Sequence, residues 1–329
     1  MEYVKEYGQL PDKLRAAMKS ANPFYQKCFY DYYIRKGKDV IYFYDSSQVV
    51  PLVINSKLMF RYAHFPTEPF FYGDEINDKF LTDIVNISHN DLKLDWIGQT
   101  PPSALFKEAP EGAVSIPFGS HIIDLSLSEE ELWKNIHSKH RNVIRNAQKH
   151  GVIIRQGGLE LLNDYLVAEK ETMKRSSLPE GTVDIYAELF EKFKNHVVVY
   201  VAYDSSHKVQ GGAIIVYSRA MAYYMHGASI NSPLTGAMNL LQWENIKNLK
   251  SEGVSRYSFV GCRINEDHDS KYHGIQNFKK RFGGELFQGR MFKVIFHDRK
   301  YLLYKKAVYA KSHGAMAEDI IDQEIHKWK

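Results

Sequence analysis

Apolar and polar positions fall into blocks that repeat once along the chain. DVIYFY, residues 39–44, has the β-branched and aromatic character of a strand. The polar turn Asp45-Ser46-Ser47 follows, and VVPLVI, residues 49–54, returns as a second strand, so a hairpin is predicted. The second half repeats the scheme with VVVYVAY at 197–203, Asp204-Ser205-Ser206, a short polar loop, and GGAIIVY at 211–217. The tetrapeptide YDSS begins at both Tyr44 and Tyr203. Later in each half a predicted helix leads to a short strand ending in an aromatic, an aliphatic and a glycine: DWIG at 95–98 and SFVG at 258–261. Asp45 and Asp204 are offset by 159 residues, and Gly98 and Gly261 by 163. Two distant landmarks thus keep nearly one spacing, which implies tandem duplication of a single α/β unit.

Between the halves a helix is predicted to open at Ser128. Glu131 three residues on completes a capping box, and Glu129 to Glu131 put negative charge at the positive end of the helix dipole. Leu132, Trp133, Ile136, His140, Val143, Ile144 and Ala147 recur at helical spacing as a buried stripe, on which His140 reads as a packed histidine. Arg141, Arg145 and Lys149 line a different face, and Gly151 is a natural stop. Those cations either complement the dipole and face water, or they face an anionic partner.

Composition narrows the classes. A chain of 329 residues exceeds the usual single compact domain, so two domains are expected. Hydrophobic residues make up 44% and charged ones 25%, ordinary for a globular protein, while 22 Tyr and 18 Phe are a generous aromatic supply for packing or ligand stacking. Two cysteines, Cys28 and Cys262, cannot build a disulfide framework or a structural zinc site. The N-terminal stretch lacks the apolar core of a signal peptide and no segment approaches the length of a bilayer span, so a cytoplasmic protein with at most peripheral membrane contact is expected. The formal charge of +4 excludes an indiscriminate polyanion binder, and DNA is not an expected partner, yet a local basic groove remains compatible with it.

Several chemistries lack their motifs. HExxH, clustered Cys/His ligands, the P-loop, the G-x-G-x-x-G fingerprint and the G-x-S-x-G elbow are all absent from the sequence, so no metal and no resident cofactor is expected. Catalysis would then rest on positioning and electrostatics. The stretch RAMAYYMHGAS, a turn at Asn231 to Pro233, and a helix ending near Gly253 lead into the strand YSFVG. Acyl-CoA N-acyltransferases of the GNAT superfamily use such an arrangement to hold the cofactor pyrophosphate on free helix N–H groups. Their Gln/Arg-x-x-Gly-x-Gly/Ala signature is missing here, where SPLTGAMN offers only Gly236. Farther on, GIQNFKKRFGG sets Lys279 between Phe278 and Phe282, where an ammonium partly shielded from water could steady a developing oxyanion.

The run LWKNIHSKHRNVIRNAQKHGVIIR, the helix GAMNLLQWENIKNLKSEG, the strand YSFVG and the segment GIQNFKKRFGG together resemble the FemABX family in order and residue type. Members are peptidoglycan bridge-forming aminoacyltransferases. The resemblance is scattered over about residues 25–300 and clearest from Leu132 on. It implies an α/β (α+β) fold of two tandem GNAT-like domains. The expected boundaries are 1–151 for the first, including the basic linking helix 128–150, and 152–300 for the second, with C-terminal helices in 301–329 packing back on the first. It further implies transfer of an aminoacyl group from aminoacyl-tRNA to an amine of a nucleotide- or lipid-linked cell-wall precursor. Lys279 matches a lysine at the reaction site, Tyr257 a tyrosine in the peptide channel, and Tyr186 a tyrosine near the precursor diphosphate. Lys36, or Arg35 beside it, matches a lysine contacting the same precursor, and Phe278 and Arg263 join the expected substrate contacts. The helix bearing Arg141 and Arg145 is expected by the groove between domains, facing tRNA or precursor phosphates. Where members tend to place an arginine before the helix of Tyr186, this chain has LPEGTVD. The alternatives are a GNAT-fold acyltransferase using acyl-CoA or another thioester on a polysaccharide or lipid-linked sugar, and a binding module without catalysis.

Overall fold

The computed structural model describes residues 1–73, 77–264, 271–311 and 318–327. The first half holds β1 (Glu2–Val4), α1 (Asp12–Met18), α2 (Lys27–Arg35), β2 (Asp39–Tyr44), β3 (Gln48–Lys57), β4 (Phe60–His64), β5 (Phe70–Phe71), α3 (Phe80–Asn90), β6 (Trp96–Ile97) and β7 (Val114–Asp124). Two helices follow, α4 (Glu129–Asn135) and α5 (Ser138–Lys149). The second half holds β8 (Ile153–Gly157), α6 (Leu162–Ser176), α7 (Val183–Phe193), β9 (Val197–Tyr203), β10 (Val209–Tyr217), β11 (Ala222–Ser229), α8 (Ala237–Ser251), β12 (Arg256–Ser258), β13 (Cys262–Arg263), α9 (Lys271–Lys280) and β14 (Glu285–Ile295), and the chain ends in α10 (Asp298–Lys311) and α11 (Ile320–His326).

The strands form one sheet in the order β1-β2-β3-β4-β6-β14-β7-β12-β11-β10-β9-β8. Apart from β5, which pairs with β3, and β13, which pairs with β7, each strand of one half has its mate in the other, β2 with β9, β3 with β10, β4 with β11 and β6 with β12, so the order runs the same from either end. The duplication inferred from short repeated strings is thus written into the pairing. Both predicted hairpins form, with the Asp45 carboxylate accepting from Ser47 and Gln48 N–H (2.9 Å each) and that of Asp204 from Ser206 and Lys208 N–H (2.9 Å each).

At the centre the two copies trade strands. β7 and β14 pair antiparallel over nine positions, from Val114 with Lys293 to Ile122 with Glu285. β7 also pairs with β12 of the second half, and β14 with β6 of the first. Each lobe therefore takes its last strand from the other half of the chain, and a division at residue 151 does not follow the sheet. The linking helices also differ from their expected place. Leu132, Ile136, Ile144 and Ala147 join a core with Ile215, Leu241, Trp243 and Phe282, which belongs to the second lobe. Ser128 caps α4 as predicted, in a capping box with Glu131, but the helix breaks at Ile136 and restarts at Ser138, with His137 Nδ1 accepting from Lys139 N–H (3.2 Å).

One face of the sheet is covered by α1, α2, α6 and α7, whose Leu14, Phe29, Tyr165, Tyr186 and Phe193 pack with Phe24 of the α1–α2 connection into a single core drawn from both halves. Phe24 lies edge-on to Phe193 at 5.4 Å and to Tyr223 at 5.1 Å, which ties the lobes together through aromatic contacts. Of the C-terminal helices, α10 packs on the first lobe, where Tyr304 meets Tyr62 (5.2 Å) and Trp96 (4.9 Å). Helix α11 sits instead on the central strands, with Ile321 buried against Ile116, Phe118 and Met291.

Candidate active site

β11 and β12 run parallel but pair at only two positions, Ala222 with Tyr257 and Tyr223 with Ser258. Beyond them the strands part, and each side has its cause. The chain after β12 follows β7, with Phe259 N–H donating to His121 O (2.9 Å) and β13 pairing Cys262 with Gly119. The end of β11 is held by α6: Thr172 Oγ1 donates to Ser229 O (2.9 Å), and the Arg175 guanidinium donates to Ser229 O (2.9 Å) and Asn231 Oδ1 (2.7 Å). The split opens a cavity of about 470 Å³ whose walls include Tyr224, Met238, Phe259, Phe278, Lys279 and Arg175. Among the described residues lining it, Lys279 and Arg175 carry charge and no carboxylate does.

Lys279 sits where the strands separate. The chain turns there through Val260 (φ 48°) and Gly261 (φ 67°), which aims their carbonyls at the ammonium. Lys279 Nζ donates to Val260 O and, at 2.8 Å, to Gly261 O. Phe278, half-buried, packs on Phe282 (5.2 Å) and on the His140 ring (5.5 Å). His140 is buried on the apolar stripe as predicted, and burial together with the Arg281 and His137 charges lowers its pKa to about 4. A neutral imidazole thus backs the segment that carries Lys279.

The other predicted residues go elsewhere. Tyr257 is fully buried, its hydroxyl donating to Gln242 Oε1 (2.6 Å), and burial pushes its phenol well above the ordinary value. It is a core residue with a satisfied polar tip. Tyr186 is also buried and donates to Glu169 Oε1 (3.0 Å), which further accepts from Gly181 N–H (2.9 Å). Burial, then the Glu169 carboxylate, pushes its phenol up to about 12. Lys36 is exposed at the end of α2, its Nζ 5.4 Å from the Tyr32 ring, which Lys192 of α7 approaches at 4.9 Å. These two cations share a surface between α2 and α7, apart from the walls that hold Lys279.

Arg263 is claimed by the C-terminal helix, pairing with Glu324 Oε1 and with Gln323 Oε1 (2.7 Å), with its side chain 9% exposed and that of Glu324 7%. Breaking so buried an ion pair by removing one partner costs about 3–5 kcal/mol. Arg141 donates to Lys134 O (2.8 Å) and Ile136 O, and so satisfies orphan carbonyls at the end of α4. Arg145 lies over the Trp133 ring at 5.3 Å, and Lys149 is exposed. The basic face is thus partly a capping device and partly open.

Sequence reasoning missed Arg175 and Tyr224. Arg175 sits in ETMKRSS, which reads as an ordinary charged helix end; only the fold brings it to Ser229. Tyr224 lies in an aromatic strand whose outward positions had no separate signal. Helix α8 opens at Gly236 with φ 87°, and a Cβ there would come within 2.0 Å of Val143 O of α5. The first turn of α8 is therefore pressed against the basic helix. Among the described residues, no group of three or more His, Cys, Asp or Glu is placed to hold a metal ion.

Comparison with known proteins matches the FemAB family over residues 112–210. That segment runs from β7 through the linking helices to the start of β10. The lipid II:glycine glycyltransferase of Staphylococcus haemolyticus (strain JCSC1435) is 33% identical over 76 residues, which are 23% of this chain and 18% of that relative. The match thus spans about a fifth of the curated relative's length. Among solved structures, FemX superposes with a TM-score of 0.69 at 15% identity, covering 92% of this chain and 99% of that one. A tandem GNAT protein from the clavulanic acid biosynthesis pathway gives 0.53 at 10% identity, covering 89% and 98%. The resemblance to FemABX and the tandem GNAT-like fold expected from the residues are both found again here.

Proposed function

We propose that this chain is an aminoacyltransferase of the FemAB kind, which moves an aminoacyl group from aminoacyl-tRNA to an amine on the stem peptide of a peptidoglycan precursor. The observation that carries this reading is Lys279 at the parting of β11 and β12, in a cavity whose described walls hold no carboxylate. In the reaction the amine nitrogen attacks the ester carbonyl, a C–N bond forms, and the tetrahedral oxyanion collapses with loss of the ribose oxygen, which takes up a proton as the amine gives one away. The Lys279 ammonium offers the opposite charge that the oxyanion needs, in a cavity whose walls include the apolar rings of Phe278 and Phe259.

Aminoacyl-tRNA is favoured over acyl-CoA by two features. The glycine signature of CoA binding is absent, and the start of α8, where a GNAT enzyme seats pyrophosphate, is packed against Val143 of α5. The acceptor follows the relatives, which are named for lipid II and glycine.

The direct test offers the protein a mixed pool of radiolabelled aminoacyl-tRNA, or labelled acetyl-CoA, with a panel of cell-wall precursors. Label should reach a precursor amine from tRNA, and Lys279→Met should slow transfer by about 100-fold or more while the fold survives. Label arriving from the thioester alone overturns the donor, and full activity in Lys279→Met overturns the site.

A further inference from the structure

The hairpin joining β3 and β4 turns at Lys57-Leu58-Met59, where Leu58 is 95% exposed and Met59 63% exposed. Leu58 has φ 52°, a left-handed backbone that turns usually assign to Gly or Asn. An apolar side chain is thus held out at a tip where backbone preference and solubility both favour a small polar residue.

Helix α10 lies beside this tip, because Tyr304 meets Phe60 at 5.7 Å and Tyr62 at 5.2 Å. With Tyr301 and Tyr304 turned inward onto Trp96, helical spacing turns Leu302, Leu303 and Lys306 outward. Leu302 is 57% exposed and Leu303 50% exposed. The charge on this surface is predominantly positive. The helix sequence DRKYLLYKKAVYAK has Asp298, at its start, as its single carboxylate. Lys300 and Lys305 are paired with Asp95 and Asp322, whereas Arg299 and Lys306 are exposed near the leucines, as Lys57 is at the tip.

We infer that this surface docks the protein on an anionic lipid bilayer, with Leu58, Met59, Leu302 and Leu303 entering the interface and Lys57, Arg299 and Lys306 meeting lipid phosphates. Apolar side chains ringed by cations suit that boundary. A second copy of the chain is the poorer occupant, since a two-fold contact through this patch would set like charges face to face. Among the described residues no helix is long and apolar enough to cross a membrane, so the contact is peripheral. The inference stands apart from the transfer reaction, because docking is measured without any substrate.

Co-sedimentation of the full chain with vesicles tests it. Vesicles of phosphatidylcholine containing phosphatidylglycerol should bind at least about tenfold more protein than phosphatidylcholine alone, and added salt should weaken the binding. Leu302→Glu with Leu303→Glu should abolish most of it. Leu58→Asn, which suits the left-handed turn and keeps the fold, should reduce it severalfold. Equal binding to both vesicles overturns the inference, as does binding that neither variant changes. So does a solution dimer that the double glutamate variant converts to monomer.

Discussion

In the second lobe the split between β11 and β12 is walled by Lys279 and Arg175. In the first lobe the equivalent parallel pair, β4 and β6, leads toward a cavity of about 540 Å³ lined by Tyr25, Glu68, Phe70, Phe80 and Phe106, with Lys107 and Glu108 at its wall. Six residues before β14 stands Lys279; six before β7 stands Glu108. The copy that carries an ammonium in one lobe therefore carries a carboxylate in the other. Burial also pushes the Glu68 carboxyl above its ordinary range. The wall of this first cavity thus sets carboxyl groups beside the Lys107 ammonium, unlike the described wall around Lys279, which holds no carboxylate. The starts of α3 and α8 differ as well, since α8 opens at a left-handed glycine wedged against α5, whereas α3 opens at Lys79 in ordinary right-handed geometry. Duplication supplied two similar clefts, and substitutions at a few positions decided which could do the proposed chemistry.

The comparison can be broken at three points. Gly236→Ala sets a Cβ against Val143 O at a strained φ, so urea unfolding should show a loss of about 3 kcal/mol or more, while Lys79→Ala at the matching position stays within about 0.5 kcal/mol. Similar losses in both would mean that the two helix starts are not distinct. Tyr257 pairs with Ala222 of β11 as Ile97 pairs with Ala63 of β4 in the first lobe, and both are fully buried. Tyr257→Phe leaves Gln242 Oε1 unpaired and should cost about 1–2 kcal/mol by the same measurement, with transfer intact at temperatures where the variant is folded. Lost transfer at unchanged stability would return Tyr257 to the reaction. The smallest effect belongs to Glu108→Gln, which should leave transfer rates unchanged; a rate loss would make the first cavity part of the reaction.

The hairpins, their Asp-Ser-Ser turns, the capping box at Ser128 and the burial of His140 were legible because each depends on neighbours a few residues away. The strand exchange was not. β7 and β14 carry no local mark of which lobe they serve, since pairing of Val114 with Lys293 is decided only when the whole sheet assembles. The same holds at the site. Lys279 stood out between two phenylalanines, but Arg263 is removed from the cavity by Glu324, 61 residues away, and Arg141 by carbonyls at a helix break that its periodicity concealed. Tyr257 and Tyr186 showed hydroxyls to a reader of the sequence, and only packing reveals Gln242 and Glu169 already bound to them.

The traded strands bear on how such a molecule could have arisen. Before doubling, a lone ancestral unit would have had no neighbour from its own chain for its final strand, and could complete its sheet only by lending that strand to a twin and borrowing the twin's. Joining two such partners end to end would make a mutual loan permanent, and would let each half drift in sequence while its counterpart held it closed.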